Sequence, residues 1–181
     1  MRSFDALCVA SEAVGADGSR FQFLHGSIAP GWVFVSRRGE VKLGGFGFGC
    51  IKPERQRGLD EMIAAPEQLL GCQGETASID IFQVGLLLHR MLFASGFVSE
   101  ALARILGQVS GEAVAPTALP RTDPQLEILR HLLAEQPENR FASIHDVREA
   151  VDAVTPRGEP ESEARAWLAR QAAVRDGEID P

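Results

Sequence analysis

Apolar residues along the chain recur at helical spacing over most of its length, broken by a few short alternating runs. Phe4, Leu7, Cys8 and Val14 share one face of a helix predicted over 3–14, with Ser3 as its N-cap and Gly15 and Gly18 ending it. Phe21 to Leu24 alternates and predicts a short strand leading into His25. Residues 32–35 and 41–43 predict two further strands, joined by the turn Ser36-Arg37-Arg38-Gly39, where Gly39 is free to take positive φ. The glycine-rich run GGFGFG, 44–49, holds no regular structure, and 50–64 is polar and irregular.

The second half reads as helices. A short one is predicted at 68–70. Ser78 to Phe93 is apolar on nearly every side, the pattern of a helix buried in the centre of a fold. An amphipathic helix follows over 98–109 with Ser99 as its cap, then a proline-containing loop at 111–122. Asp123 and Pro124 open a helix over 123–135 as N-cap and first residue. After a loop at 136–141, Ser143 starts a helix to Val154, with Asp146 in a variant capping box. Residues 155–160 have linker composition. Helical spacing returns over 161–175, with Ala164, Trp167, Leu168 and Ala172 on one face, and the last six residues should fray. There are no internal repeats.

Composition narrows the partners. With 181 residues, 45% of them hydrophobic and 24% charged, the chain suits one domain with a short appendage and can fill a core. A net charge of −7 without a long basic cluster argues against nucleic acid or an anionic membrane as partner. Cys8, Cys50 and Cys72 form neither a zinc pattern nor a disulfide framework, which predicts free thiols in a reducing compartment. The N-terminus does not read as a signal peptide and no apolar run is long enough to span a bilayer, so a cytoplasmic location is expected.

Four separated motifs carry the functional argument. His25-Gly26-Ser27-Ile28-Ala29-Pro30-Gly31-Trp32 runs into the predicted hairpin, which ends in Val41-Lys42-Leu43-Gly44-Gly45-Phe46-Gly47. Ala65-Pro66-Glu67 follows, and then Asp80-Ile81-Phe82-Gln83-Val84-Gly85 in the central helix. In this order they resemble the H-R-D-L-K-P-x-N, V-K-L-x-D-F-G, A-P-E and D-x-W-S-x-G motifs of the eukaryotic-type (Hanks-type) Ser/Thr protein kinase family. The resemblance covers about residues 4–154, and the PEQLLG and DIFQVG stretches look bacterial in style. It implies an α+β, mainly α fold: a kinase-like C-lobe over 1–154 with a small β-hairpin, the 155–160 linker, and an extra C-terminal helix with a frayed tail over 161–181. Only 24 residues precede His25. That leaves room for one helix, so the nucleotide-clamping N-lobe is expected to be absent.

The resemblance also implies a division of roles. His25, Phe46, Glu67, Asp80, Gly85 and Arg140 stand where the family keeps architectural residues. In the family the Asp80 position accepts backbone hydrogen bonds from the catalytic loop, and the Glu67 position pairs with an arginine, here most simply Arg140. The catalytic positions are degenerate. Ser27 stands for the base aspartate, Ala29 for the phosphate-contacting lysine, Trp32 for the metal-binding asparagine and Gly45 for the metal-binding aspartate. A hydroxyl is a poor base, and neither glycine nor an indole can ligate a hard cation. Residues 50–64 contain no Ser, Thr or Tyr, so activation-loop phosphorylation on a hydroxyl is excluded there. The expected function is a non-catalytic pseudokinase C-lobe, with no cofactor and no metal, acting as a binding, regulatory or scaffold module in phosphorylation signalling. The alternative is a divergent kinase-fold transferase completed by an N-lobe in trans. A remnant whose only property is folding is a third reading.

Competing signals are weaker. GGFGFG lacks the Walker lysine and a following capped helix, so a hinge is favoured over a phosphate cradle. Ser27 has no G-x-S-x-G setting and no identifiable base. His89, His131 and His145 fall on separate helices at no metal-ligand spacing, and the acidic EPESE run reads as a solvated helix start. The expected partner is another protein or a second copy, meeting the face an N-lobe would cover. Trp32 and Phe48 are the binding candidates there. Trp167 and Leu168 either cap the lobe or dock a partner helix.

Overall fold

The structure, a computed structural model, describes residues 2–13, 18, 24–46, 64–70, 77–93, 98, 99, 103, 124–154, 166 and 169. In chain order these residues form α1 (Arg2–Ser11), a 3-10 turn (Pro30–Trp32), β1 (Val33–Val35), β2 (Val41–Leu43), α2 (Pro66–Leu69), α3 (Ala77–Phe93), α4 (Pro124–Leu132), a second 3-10 turn (Pro137–Asn139) and α5 (Ile144–Val154). The described residues are mostly helical with one small antiparallel sheet, an α+β arrangement.

α3 is the centre. Every residue from Ile79 to Leu86 is buried, and so is His89. A helix without a polar face must be surrounded, and α3 divides the core into two clusters. Ile81 and Val84 pack with Leu7 and Cys8 of α1, Ile28, Ile128 and Leu132 of α4, and Ile144 and Val147 of α5. Ile79, Phe82 and Leu86 pack on the other side with Ala65, Leu129 and Leu133. The Phe82 side chain is 0% exposed, a burial that contributes about 1.5–3 kcal/mol.

The approach of α4 to α3 requires Gly85. A Cβ there would lie 2.8 Å from Cβ of Leu132 and 2.9 Å from Cδ2 of Leu133. α4 itself is amphipathic, burying Ile128, Leu129 and Leu132. α5 begins as its sequence predicts. Ser143 Oγ accepts the Asp146 N–H at 3.2 Å, and the same hydroxyl donates to Asp146 Oδ2 at 2.8 Å. Ile144 and Val147 then face the core.

The hairpin pairs Val33 with Leu43, Phe34 with Lys42 and Val35 with Val41. Its turn closes through Ser36 N–H to Glu40 O at 2.8 Å and Gly39 N–H to Ser36 O at 2.9 Å, with Gly39 at φ +81°. Ser36 Oγ accepts from the N–H groups of both Arg38 and Glu40. α1 covers β2 and also packs on α5.

Local departures from the sequence pattern have local causes. Trp32 belongs to the 3-10 turn rather than to β1, because Pro30 presets φ at the turn and the Trp32 N–H goes back to Ala29 O at 3.0 Å. α1 already starts at Arg2, so Ser3 lies inside the first turn instead of capping it. α2 starts at Pro66, two residues before the predicted start. Residues 137–139 form a 3-10 turn where a plain loop was expected. Leu24 is irregular, and the rest of the strand predicted over 21–24 lies outside the described residues. So do Phe48, Trp167, Leu168, the 155–160 linker and most of the helix predicted over 98–109. Of that helix, Ser99 is buried and its carbonyl accepts the Ala103 N–H at 2.8 Å. Ala166 and Ala169 are helical and exposed. No helix among the described residues is long and apolar enough to cross a membrane.

Gly85→Ala tests the α3–α4 contact. In an open helix this change is favourable by about 1 kcal/mol. Here the methyl must displace Leu132 and Leu133, so urea unfolding should show a loss of about 1–3 kcal/mol. A stabilised variant would contradict the packing.

Candidate functional site

Residues 24–29 carry no regular structure and enter the hairpin through the 3-10 turn. Their buried N–H groups therefore need side-chain acceptors. Asp80, in the first turn of α3, supplies two. Its Oδ2 accepts the His25 N–H at 2.8 Å and its Oδ1 the Gly26 N–H at 2.7 Å. Gly26 takes φ +69°, a region that favours glycine, so that consecutive N–H groups can converge on one carboxylate.

One turn further along α3, Gln83 continues the clamp. Its Oε1 accepts the Ile28 N–H at 2.7 Å, and its Nε2 donates to Gly26 O at 3.2 Å and to Gln68 Oε1 at 3.3 Å. Gln68 Oε1 in turn accepts the Ala65 N–H at 2.9 Å. Gln68 thereby supplies half of a capping box, and Ala65 has no side-chain oxygen for the other half. Sequence reasoning missed Gln83. Its signal was present: an uncharged polar residue in the middle of an apolar helix, three positions after Asp80 and so on the same face.

His25 is 0% exposed. Its Nε2 lies 2.7 Å from Gly44 O, and since a carbonyl only accepts, Nε2 carries the proton. Nδ1 has no partner among the described residues. The ring packs on Phe46 at a centroid distance of 4.8 Å. Loop 24–29 and the residues after β2 are thus joined through one imidazole.

The four positions that the family resemblance marks as degenerate lie along this loop, in the 3-10 turn and just after β2. Ser27 and Ala29 are half-buried. Trp32 and Gly45 are in direct contact. Gly45 sits at φ +82°, and a Cβ there would overlap the Trp32 indole at Cδ2, with Cε3 at 2.7 Å and Cε2 at 2.8 Å. The indole occupies the space that a side chain at 45 would need. A magnesium ion, which the family resemblance implies at these two positions, does not fit this residue set. One position has no side-chain ligand atom, and the other covers it with an aromatic ring. Among the described residues, no group of three His, Cys, Asp or Glu could hold a metal ion.

Behind the loop, Glu67 and Arg140 meet in a bidentate pair, with Nη1 to Oε1 at 2.6 Å and Nη2 to Oε2 at 2.9 Å. The Arg140 side chain is 0% exposed and that of Glu67 13%. The other three Arg140 hydrogen bonds go to carbonyls: Nη1 to Ser78 at 2.9 Å, Nη2 to Glu135 at 3.1 Å and Nε to Ala134 at 2.8 Å. All five guanidinium donors are used. The guanidinium also stacks over Phe82, 4.7 Å from the ring centroid. One residue so ties α2, the start of α3 and the loop after α4.

The remaining histidines do not converge. His89 is buried beside Phe93, His131 is exposed between Glu127 and Phe141, and His145 lies with Nε2 3.1 Å from Glu12 Oε1, off hydrogen-bond alignment.

Glu67→Ala would leave a buried guanidinium without its counter-charge. Breaking such a pair from one side costs about 3–5 kcal/mol, so the thermal midpoint should fall steeply. An unchanged melting curve would contradict the pairing.

No protein-family model matches the chain. It is 33% identical over 72 residues, 38% of its length, to "Probable serine/threonine-protein kinase glkA" of Dictyostelium discoideum. The match spans only 15% of that protein. The chain is similar, over part of its length, to a Ser/Thr protein kinase.

Proposed function

We propose that this chain is a kinase-related binding module without phosphoryl-transfer chemistry, a pseudokinase C-lobe that acts by engaging another protein. In this reading residues 1–154 form the lobe, 155–160 a linker and 161–181 an appended helix and tail. The observation that carries it is the contact between Trp32 and Gly45. Phosphoryl transfer rests on positioning and on cations that neutralise developing charge. At Gly45 the ligand is missing and its space is filled. Restoring one position does not restore the site, because an aspartate at 45 would strike Trp32. Ser27 and Ala29 remove the base and the phosphate contact as well.

The framework around these positions argues against mere decay. Asp80 and Gln83 still hold the loop, and Arg140 still has every donor satisfied. A loop kept in a defined shape without chemistry is suited to presenting a surface.

Two measurements test this reading. A ligand present at about 100 times its Kd adds about 2.7 kcal/mol of stability. Millimolar ATP with magnesium should leave the thermal midpoint unmoved, and a clear upward shift would favour a nucleotide-dependent enzyme instead. The second is a double-mutant cycle. Gly45→Ala should be strongly destabilising alone and less so in a Trp32→Ala background, with a coupling of about 0.5–3 kcal/mol. The cost of positive φ is common to both backgrounds and cancels. Additive effects would separate the two positions and remove the basis for the reading.

A further inference from the structure

The binding-module reading leaves open which surface meets the partner. Trp32 and Phe46 are half-buried, one against Gly45 and the other against His25 and the core. Among the described residues, the exposed large apolar side chains nearby are Phe34 at 54% and Val35 at 45%, both on β1. We infer that the β1–β2 hairpin is the docking surface, and that its occupant is an extended acidic segment of a partner protein. The inference rests on the proposed function and specifies its surface and the partner's chemistry.

Three features of the hairpin lead there. The first is charge. The chain carries a net −7, yet the hairpin sequence VFVSRRGEVKL holds Arg37, Arg38 and Lys42 against the single carboxylate of Glu40. All three cationic residues are exposed and Glu40 is half-buried. A cationic tip on an anionic protein attracts acidic groups locally, while the rest of the surface repels polyanions.

The second is a positioned ring. Phe34 lies across Gly44, where a Cβ would come within 2.9 Å of its Cε2. Glycine lets the ring rest on the backbone, and Phe34 is paired across the strands with Lys42, so an apolar surface and a cation share one face.

The third is the strand edge. The sheet has two strands in the order β1–β2, and α1 covers β2. Trp32 O accepts from Gly44 N–H and Ser36 N–H donates to Glu40 O, so the even-numbered residues pair inward. The N–H and C=O of Val35 and the C=O of Val33 therefore face the outer edge, where no strand lies among the described residues. An extended segment can add there through its main chain, place an apolar side chain on Phe34 and direct carboxylates to Arg37, Arg38 and Lys42.

The probe is a fluorescein-labelled, end-blocked peptide of about eight residues mixing Glu, Asp and Leu, read by anisotropy. It should bind the full chain saturably and more weakly as salt is raised. The reversal Arg37→Glu/Arg38→Glu/Lys42→Glu should weaken it by about tenfold or more, and Phe34→Ser by several-fold, whereas Arg148→Glu on α5 should leave it unchanged. Circular dichroism checks folding, and Arg37→Glu or Lys42→Glu alone carries the test if the triple variant does not fold. No binding, equal binding of the same peptide with Lys at every acidic position, or no response to charge reversal would overturn the inference. Tighter binding of an oligothymidylate of equal charge would also overturn it and reassign the hairpin to nucleic acid. Failure here leaves the non-catalytic reading standing as long as Mg-ATP produces no thermal shift, so the two can fail separately.

Discussion

A buried loop without regular structure has N–H groups that no helix or strand receives, and each one left unpaired costs about 1–3 kcal/mol. In residues 25–28 three of these groups are received by two side chains of α3. Asp80 takes those of His25 and Gly26, and Gln83 takes that of Ile28. The loop's shape is therefore a property of the helix beneath it. Because Asp80 and Gln83 lie three residues apart, a single helical face sets both ends of the clamp. Everything the loop leads into, the 3-10 turn, Trp32 and the hairpin, takes its position from these contacts.

α3 can serve as that base only because its other sides are closed. Gly85 lets α4 come close enough for Leu132 and Leu133 to seal one flank. Arg140 closes the end near the helix start, joining Ser78 O, Glu67 and the carbonyls after α4 over the face of Phe82. A buried cation is tolerable when it is paired and every donor is satisfied, and Arg140 meets both conditions. The framework is fully hydrogen-bonded, while the place that the proposed kinase relationship assigns to phosphoryl-transfer groups holds a glycine and an indole. That contrast between a fully satisfied scaffold and a filled site is the physical core of the binding-module proposal.

Much of the fold was legible in the chain. The largely apolar pattern of 78–93 marked a buried central helix, and α3 is buried from Ile79 to Leu86 and at His89, while its last turn from Arg90 to Phe93 is exposed. The Ser143 start of α5 and the turn at Gly39 were readable because a cap and a positive φ demand particular residues locally. The pairing of Glu67 with Arg140, 73 residues apart, was accessible only through the family resemblance, and Gln83 was overlooked. A polar residue's long-range partner is not written in its neighbours. The strand extent at Trp32 was misjudged for a related reason: the pattern favoured a strand, but Pro30 and the Ala29 carbonyl made a tighter local bond available.

What the sequence determined by itself was the kind of most of the described elements, from the central helix to the hairpin, and the absence of carboxylates at Ser27 and Gly45. Those follow from periodicity and from side-chain chemistry, which are local. Only the tertiary structure decided that Trp32 fills the space beside Gly45, that Phe34 is more exposed than Trp32, and that β1 has β2 as its one neighbour among the described residues. Each of these depends on which residues meet across distant segments, and excluded volume between such segments acts only after the chain has folded.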